Sequence, residues 1–446
     1  MSTLIGNKWG IWVGSLTLVA TAGCATRYEH SLTVPPPSSD LLSIVEARQV
    51  AAESSDTLPP TLTLLQAIDV ALQNHPELVS ANALIGVAQG NALQAGLYPN
   101  PTVGYIGEQL GSRENGAGQQ GPFVSQEIVT GGKLGVSQSA ALDAVTANQW
   151  QAISKRFDLE AKVRAAFYDA LTAQREVSEN EAIVKIALES TEASQKMEKA
   201  GRGATTDVLR AKVEYEVNLN KLISSRERLK VAWPLLANVI GKPGAKITPL
   251  QGDLEQGRPE YQLAHVQETV LSKNSQLMQA QASISEAEKL ITRSRLENIP
   301  NVDLKVQPLY DYTQSVSQVS FEVGMRIPVW NKNQGNIQAA EAELARRVSE
   351  LQNTKLQLSD RVLLAYQRYA TARDQVNKFE KELLPQAREA QRLSKSAFES
   401  GDAKYDYTAL LDAQRTYAQA RLSYVQTLGE FWKAAAEIHG LLQQAP

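Results

Sequence analysis

With 446 residues and a formal net charge of −3, the chain is long enough for two or three ordinary domains or for one extended repetitive structure. That charge balance leaves no basic stripe for nucleic acid, and a single cysteine excludes a disulfide framework. Aromatics are only 6 % of residues against 43 % hydrophobic, much of it Ala and Leu, which points to long helices rather than an aromatic-filled globular core.

The N-terminus carries Lys8 and then an apolar stretch from Ile11 to Ala20, too short to span a membrane as a helix. It runs into Thr21-Ala22-Gly23-Cys24, small residues where a signal peptidase must fit the backbone. Residues 1–24 therefore read as a lipoprotein signal peptide whose Cys24 takes lipid and becomes the mature N-terminus; an ordinary signal peptide with an incidental cysteine is the alternative. Two or three acyl chains hold a protein firmly to one leaflet. Residues 25–60, with Pro35-Pro36-Pro37 and Pro59-Pro60, read as an extended leader.

Beyond the leader the chain repeats itself at a spacing of roughly two hundred residues, far longer than a solenoid period. Tyr98-Pro99-Asn100-Pro101 corresponds to Ile299-Pro300-Asn301-Val302, and Val163, Ala166, Phe167 and Ala170 to Val362, Ala365, Tyr366 and Tyr369. Ala200-Gly201 corresponds to Ser400-Gly401, and Leu209, Ala211 and Tyr215 to Leu411, Ala413 and Tyr417. The order of the anchors is kept throughout, so the repeats are set at residues 61–250 and 251–446.

Each repeat starts with one expected helix, Leu62 to Tyr98 and Tyr261 to Ile299. A β-hairpin follows, at 101–130 and 302–328. Then comes a rod, Val136 to Ala200 without Gly or Pro, and Asn336 to Ser400 with a kink or break expected at Pro385. A rod of that length is roughly 100 Å long. A Gly-containing turn reverses each rod into a returning helix that ends near Gly241 or Gly440. Glu181 and Lys185, four apart, are placed for an ion pair along the first rod.

In the second hairpin Val302, Leu304 and Val306 alternate with Asp303, Lys305 and Gln307, and Val319, Phe321, Val323 and Met325 alternate with Gln318, Ser320, Glu322 and Gly324. Alternate strand residues face opposite sides, so one face is apolar and the other charged. The first hairpin is less regular, and Gly111 to Gly121 reads as its polar surface loop. A sheet edge cannot stand in hydrocarbon, and four strands cannot close alone. Two copies give about eight strands with a side-chain-filled interior, whereas three give about twelve with room for a polar lumen. A pair of hairpins in a soluble sandwich is the bland alternative.

Asn74-His75-Pro76-Glu77-Leu78, Gly96 to Pro101, Gln126 to Lys133 and Val163 to Tyr168 make the chain resemble the TolC-type outer-membrane efflux channels, on the cation-efflux (CzcC-like) side. The fold class expected is mainly α with a small transmembrane β part. Duplicated halves of long antiparallel helices and two β-hairpins would trimerise into a twelve-stranded β-barrel over an α-helical barrel. The resemblance implies a homotrimer among outer-membrane lipids, a periplasmic adaptor and an inner-membrane RND-type pump. It puts adaptor-contacting tips on Gly201, Arg202, Gly203 and Ala204 and on Gly401, Asp402, Ala403 and Lys404, where glycine also serves the plain purpose of reversing the chain. Tyr405, Asp406 and Tyr407 are candidates for a lower aperture.

No catalytic chemistry is visible. His30, His75, His265 and His439 show no ligand spacing, and Met197, Met278 and Met325 are isolated. His75 is expected to cap or pack. Gly131-Gly132-Lys133 lacks the rest of a phosphate loop. No cofactor or metal is expected. The function expected is a passive outer-membrane duct in a tripartite efflux system, with metal cations among its cargoes. Drug efflux or type I secretion on the same fold is an alternative, as is a periplasmic coiled-coil lipoprotein without a pore.

Overall fold

The computed structural model describes residues 59–111, 116–400 and 407–443. Cys24 and the leader lie outside the described residues, as do Gly401, Asp402, Ala403, Lys404, Tyr405 and Asp406. The chain begins with β1 (Leu62–Thr63), which pairs in parallel with β4 (Leu250–Gln251). The first repeat then supplies α1 (Leu64–Asn74), α2 (Pro76–Gly96), β2 (Thr102–Glu108), β3 (Gln119–Ile128), α3 (Lys133–Lys199) and α4 (Thr205–Val239). The second supplies α5 (Leu263–Lys273), α6 (Ser275–Leu296), β5 (Val302–Asp311), β6 (Val316–Met325), α7 (Gln334–Lys378), α8 (Leu384–Ser400) and α9 (Tyr407–Leu442). Among the described residues no helix is long and apolar enough to cross a membrane.

The single opening helix expected in each repeat is two helices. Pro76 has no amide to continue α1, so the chain restarts with Pro76 in the first turn of α2. His75 is the N-cap, its Nδ1 accepting from the Glu77 amide at 3.3 Å. Asn274 does the same between α5 and α6, its Oδ1 accepting from the Gln276 amide at 2.9 Å while its Nδ2 donates to the Leu441 carbonyl at 3.1 Å. The Asn-His-Pro-Glu motif is thus a break with a side-chain cap.

At Pro385 the rod is not cut. A π-turn over Phe379–Leu383 joins α7 to α8, with the Leu384 amide reaching the Phe379 carbonyl. Widening the ladder just before Pro385 accommodates its missing donor and its ring. α9 runs through Gly440 rather than ending there. A Cβ at Gly440 would lie 2.6 Å from the Ala161 Cβ, and one at Gly429 2.6 Å from Thr172 Oγ1, so both glycines let α9 approach α3. Glu181 turns across to Arg226 on α4 at 2.7 Å rather than along its own helix to Lys185.

The main core lies where α3, α7 and α9 meet the short helices and the segment around β4. It is filled by Leu159, Val163, Phe167, Trp233, Leu236, Val362, Tyr369, Phe431 and Ile438. Below it, α4, α3, α9 and α8 pack side by side, with α4 and α8 outermost; above it the order is α2, α3, α6, α7.

Candidate channel wall and helical tip

The four long strands form one antiparallel sheet in the order β2-β3-β5-β6, so each hairpin pairs its neighbour through β3 and β5 while β2 and β6 are left as edges. β3 starts at Gln119, which takes Gln119, Gln120 and Gly121 out of the expected loop and into the ladder. Gly121 is needed there, because a Cβ would stand 2.0 Å from the Pro308 carbonyl oxygen of the adjoining strand.

Register gives each face its composition. Val103, Val124, Val306 and Phe321 stand in one row across all four strands, flanked by Gln126–Leu304–Val323 and Ile128–Val302–Met325. No charged residue lies on this face between Tyr310 and Val302. Its two glutamines are tied down: Gln126 Nε2 donates to the carbonyls of Pro99 and Glu127, both at 2.9 Å, and Gln120 Nε2 to that of Ala117 at 2.7 Å. The opposite face carries Glu127, Asp303, Lys305, Gln307, Asp311 and Glu322. Lys305 Nζ stands 4.9 Å from the centre of the Phe123 ring and 3.9 Å from Glu322 Oε2. Gln119 Nε2 donates to Asp311 Oδ2 at 3.0 Å.

Burial is inverted relative to a water-soluble sheet. On the apolar face Val319 is 74 % exposed and Phe321 64 %, whereas on the polar face Gln307 is 7 % and Asp311 5 % exposed. Glu127, Asp303 and Glu322 on the polar face are exposed as well, so the sheltering is confined to the Gln307–Asp311 end of the sheet.

Where strands meet helices, a chain of polar contacts fixes the junction. Lys133, fully enclosed at the start of α3, donates to Asn301 Oδ1 at 2.6 Å, and Asn301 Nδ2 donates to Glu127 Oε1 at 2.7 Å. Thr130 Oγ1 donates to the Pro300 carbonyl at 2.5 Å. The sequence showed the Gly-Gly-Lys motif but not this role, since the partner Asn301 lies in the other repeat.

At the far end, α3 closes in a Schellman turn. The Gly201 amide donates to the Glu198 carbonyl at 2.9 Å and the Arg202 amide to the Met197 carbonyl at 2.9 Å, with Gly201 at φ +68°. Ala204 is the N-cap of α4 without a side-chain cap, and Gly201, Arg202 and Ala204 are exposed. Tyr407 differs from its expected place at an aperture. It is 1 % exposed and packs on Phe398 at 5.7 Å between ring centroids, beside Ala211, Leu410 and Leu411. Burial pushes its hydroxyl pKa upward.

Between tip and core, arginines of α9 cover carboxylates of the first repeat. Arg415 reaches Glu214 on α4 at 2.6 Å, and Arg421 reaches Glu179 on α3 at 2.6 Å. Tyr424 donates to Glu380 in the π-turn at 2.7 Å, with Arg258 on its other oxygen at 3.0 Å. No sequence spacing marks these pairs, because each joins residues far apart in the chain. Among the described residues no group of three or more His, Cys, Asp or Glu side chains could hold a metal ion.

The sequence matches the family described as outer membrane efflux protein twice, over residues 67–242 and 266–442. It is 25 % identical over 384 residues to the cobalt-zinc-cadmium resistance protein CzcC of Cupriavidus metallidurans, covering 85 % of this chain and 90 % of that one. It is 27 % identical over 388 residues to protein CyaE of Bordetella pertussis, covering 81 % and 80 %. The fold is similar to that of CusC at a TM-score of 0.72 and 16 % identity, covering 85 % of this chain and 91 % of that one. The open-state MtrE outer-membrane channel of Neisseria gonorrhoeae superposes at 0.71 and 18 % identity, covering 85 % and 88 %.

Proposed function

Because the chain belongs to the outer membrane efflux protein family, we propose that it forms, as a homotrimer, the outer-membrane duct of a tripartite efflux system. It is a channel component and not an enzyme. In this assignment the duct gives passive passage from an inner-membrane RND-type pump and a periplasmic adaptor to the exterior, with metal cations as the cargo class. The likeness to CzcC is what favours metal.

The observation that carries the proposal is the inverted sheet. An exposed apolar face without charge suits lipid, and the charged opposite face suits a wet lumen. Its two free edges, β2 and β6, would need partners inside a bilayer. The same two-edged layout recurs in the helices, with α2 and α4 at one margin and α7 and α8 at the other. Exposed apolar stripes run along both margins, Leu209, Val213, Val217, Val231 and Leu235 on α4 and Val348, Leu356, Leu363 and Leu364 on α7. Unlike margins that repeat head to tail make a heterologous contact, which forms a ring when its rotation closes. Three copies would supply about twelve strands, enough for a lumen. Cys24 would be the lipid anchor, and the turns at Gly201–Ala204 and Gly401–Lys404 would meet the adaptor.

The test is reconstitution of the mature protein in planar bilayers, with trimer migration before and after heating. Stepwise conductance from a heat-sensitive trimer supports the duct; a water-soluble, non-conducting monomer refutes it. Co-expression with an RND-type pump and its periplasmic adaptor in a metal-sensitive host then tests the cargo.

A further inference from the structure

A hollow of about 890 Å³ lies between α3, α7 and α9, on faces of these helices other than those that carry Val163, Val362 and Ile438 into the main core. Four alanines line it, Ala161 and Ala165 of α3, Ala372 of α7 and Ala434 of α9, and leave open the space that larger side chains would fill. Around them stand five cations, Lys155, Lys162, Arg361, Arg368 and Lys433, against three carboxylates, Asp158, Glu430 and Glu437.

The carboxylates do not use up the positive charge. Arg368 reaches Glu437 at 2.9 Å, and Lys433 reaches Glu430 at 2.8 Å and Asp169 at 3.5 Å. Lys162 turns to Glu77 of α2 at 3.2 Å. Among the described residues Lys155 and Arg361 have no ion-pair partner, and both are exposed. Asp158 is likewise unpaired among the described residues, so one carboxylate faces two free cations.

A guanidinium offers a planar fork that matches a carboxylate, and an ammonium adds a point charge beside it. Gln367, Thr371 and Gln375, four apart along α7, give the same hollow neutral hydrogen-bonding groups. Its volume lies within the range of about 300–1,000 Å³ that small ligands occupy. We propose that this hollow is a binding site for a small multivalent anion of the polycarboxylate class, with Arg361 and Lys155 as its principal contacts. In the proposed ring the side thickened by α1, α5 and β4 is the outer one, so the site opens on the lumen and recurs in each copy. Its charge has the same sign as a metal cargo, so it holds a counter-anion rather than the metal itself.

This inference rests on the outer-membrane duct assignment, and the two fail differently. Single-channel conductance of the mature trimer is recorded in planar bilayers in potassium chloride, and citrate is added from the side of the helical tip. Citrate at millimolar concentration should reduce or interrupt the current, acetate at equal concentration should not, and the block should weaken as salt is raised. Arg361→Gln/Lys155→Gln should need about tenfold more citrate for the same block, because two charged contacts are lost. Arg361→Lys, which keeps the charge and loses the fork, should fall between. A conducting wild-type trimer that citrate leaves unchanged overturns the site while leaving the duct intact. Equal block by acetate does the same, as does block of unchanged strength in the double variant. Failure of the wild-type protein to insert or conduct removes both.

Discussion

Arg421 of α9 grips Glu179 of α3 with a two-pronged contact, Nε on one carboxylate oxygen at 2.9 Å and Nη2 on the other at 2.6 Å. Glu179 is buried and also meets Arg175 at 3.2 Å, so one carboxylate lies between two guanidiniums from opposite repeats. Planar fork geometry of this kind is specific to arginine. Arg421→Met keeps the stem and removes the fork. It should destabilise the folded protein by about 1–2 kcal/mol, below the cost of a wholly orphaned buried charge because Arg175 remains. A cycle with Glu179→Gln, read as thermal midpoint in detergent, checks it; independent, additive losses would mean that the contact carries no coupling.

The duplication, the rods and the two-faced strands were legible because they rest on local periodicity, which neighbouring residues determine by themselves. The Glu179–Arg421 and Lys133–Asn301 contacts were not, since sequence spacing says nothing about which surfaces of two long helices or two hairpins meet. The break at His75 is hidden for a different reason: apolar periodicity runs on through Pro76, which fits the first turn of a new helix. Pro385 marks a disturbance in the sequence, but not the π-turn that absorbs it, whose Glu380 is met from outside the helix by Tyr424 and Arg258. Tyr407 shows the limit for candidate sites. Its place beside the second tip was readable, whereas its inward packing on Phe398 required the fold.

Gly440 stands against Ala161 where α9 crosses α3, with only 2.6 Å available to an added Cβ. Gly440→Leu forces the helices apart at the edge of the main core and should cost about 1–3 kcal/mol as overpacking. Gly86, which has nothing within 4 Å, is the control. Gly86→Ala should be neutral or slightly stabilising, since alanine favours helix. Equal losses at both positions would show that the α3–α9 approach is not the cause.

His439, in the last turn of α9, has its pKa lowered, first by burial and then by Arg164, with Glu160 opposing. The folded protein therefore prefers neutral imidazole. The associated stability is present above the unfolded value of about 6.5 and is lost as pH falls through the lower folded value. The thermal midpoint should drop between about pH 7.5 and about pH 5.5, and His439→Asn should flatten that drop. A drop of unchanged size in the variant would assign it to other groups.

Tyr407 is enclosed by Phe398 and Leu410, so its ring cannot narrow a lumen in this arrangement. The proposed aperture then falls to Tyr405 and Asp406. Replacing both with Ala should raise single-channel conductance, whereas Tyr407→Phe should leave conductance near wild type and act only on stability. Conductance unchanged by the double substitution would remove these residues from the gate.

Phe321 and Ser320 are neighbours on β6 that point to opposite faces, and this contrast separates lipid from lumen. Phe321 lies in the row with Val103, Val124 and Val306, near mid-height of the apolar band, while Ser320 pairs with Gln307 on the polar side. Arginine at a lipid-facing midplane position costs about 2–4 kcal/mol, and a lumen position tolerates it. Phe321→Arg should therefore sharply reduce folding into vesicles and trimer yield. Ser320→Arg should assemble normally and instead shift the ion selectivity of the open channel towards anions. Should both variants assemble equally well, the apolar face would not be in contact with hydrocarbon, because a bare guanidinium there has no water within reach to offset its desolvation.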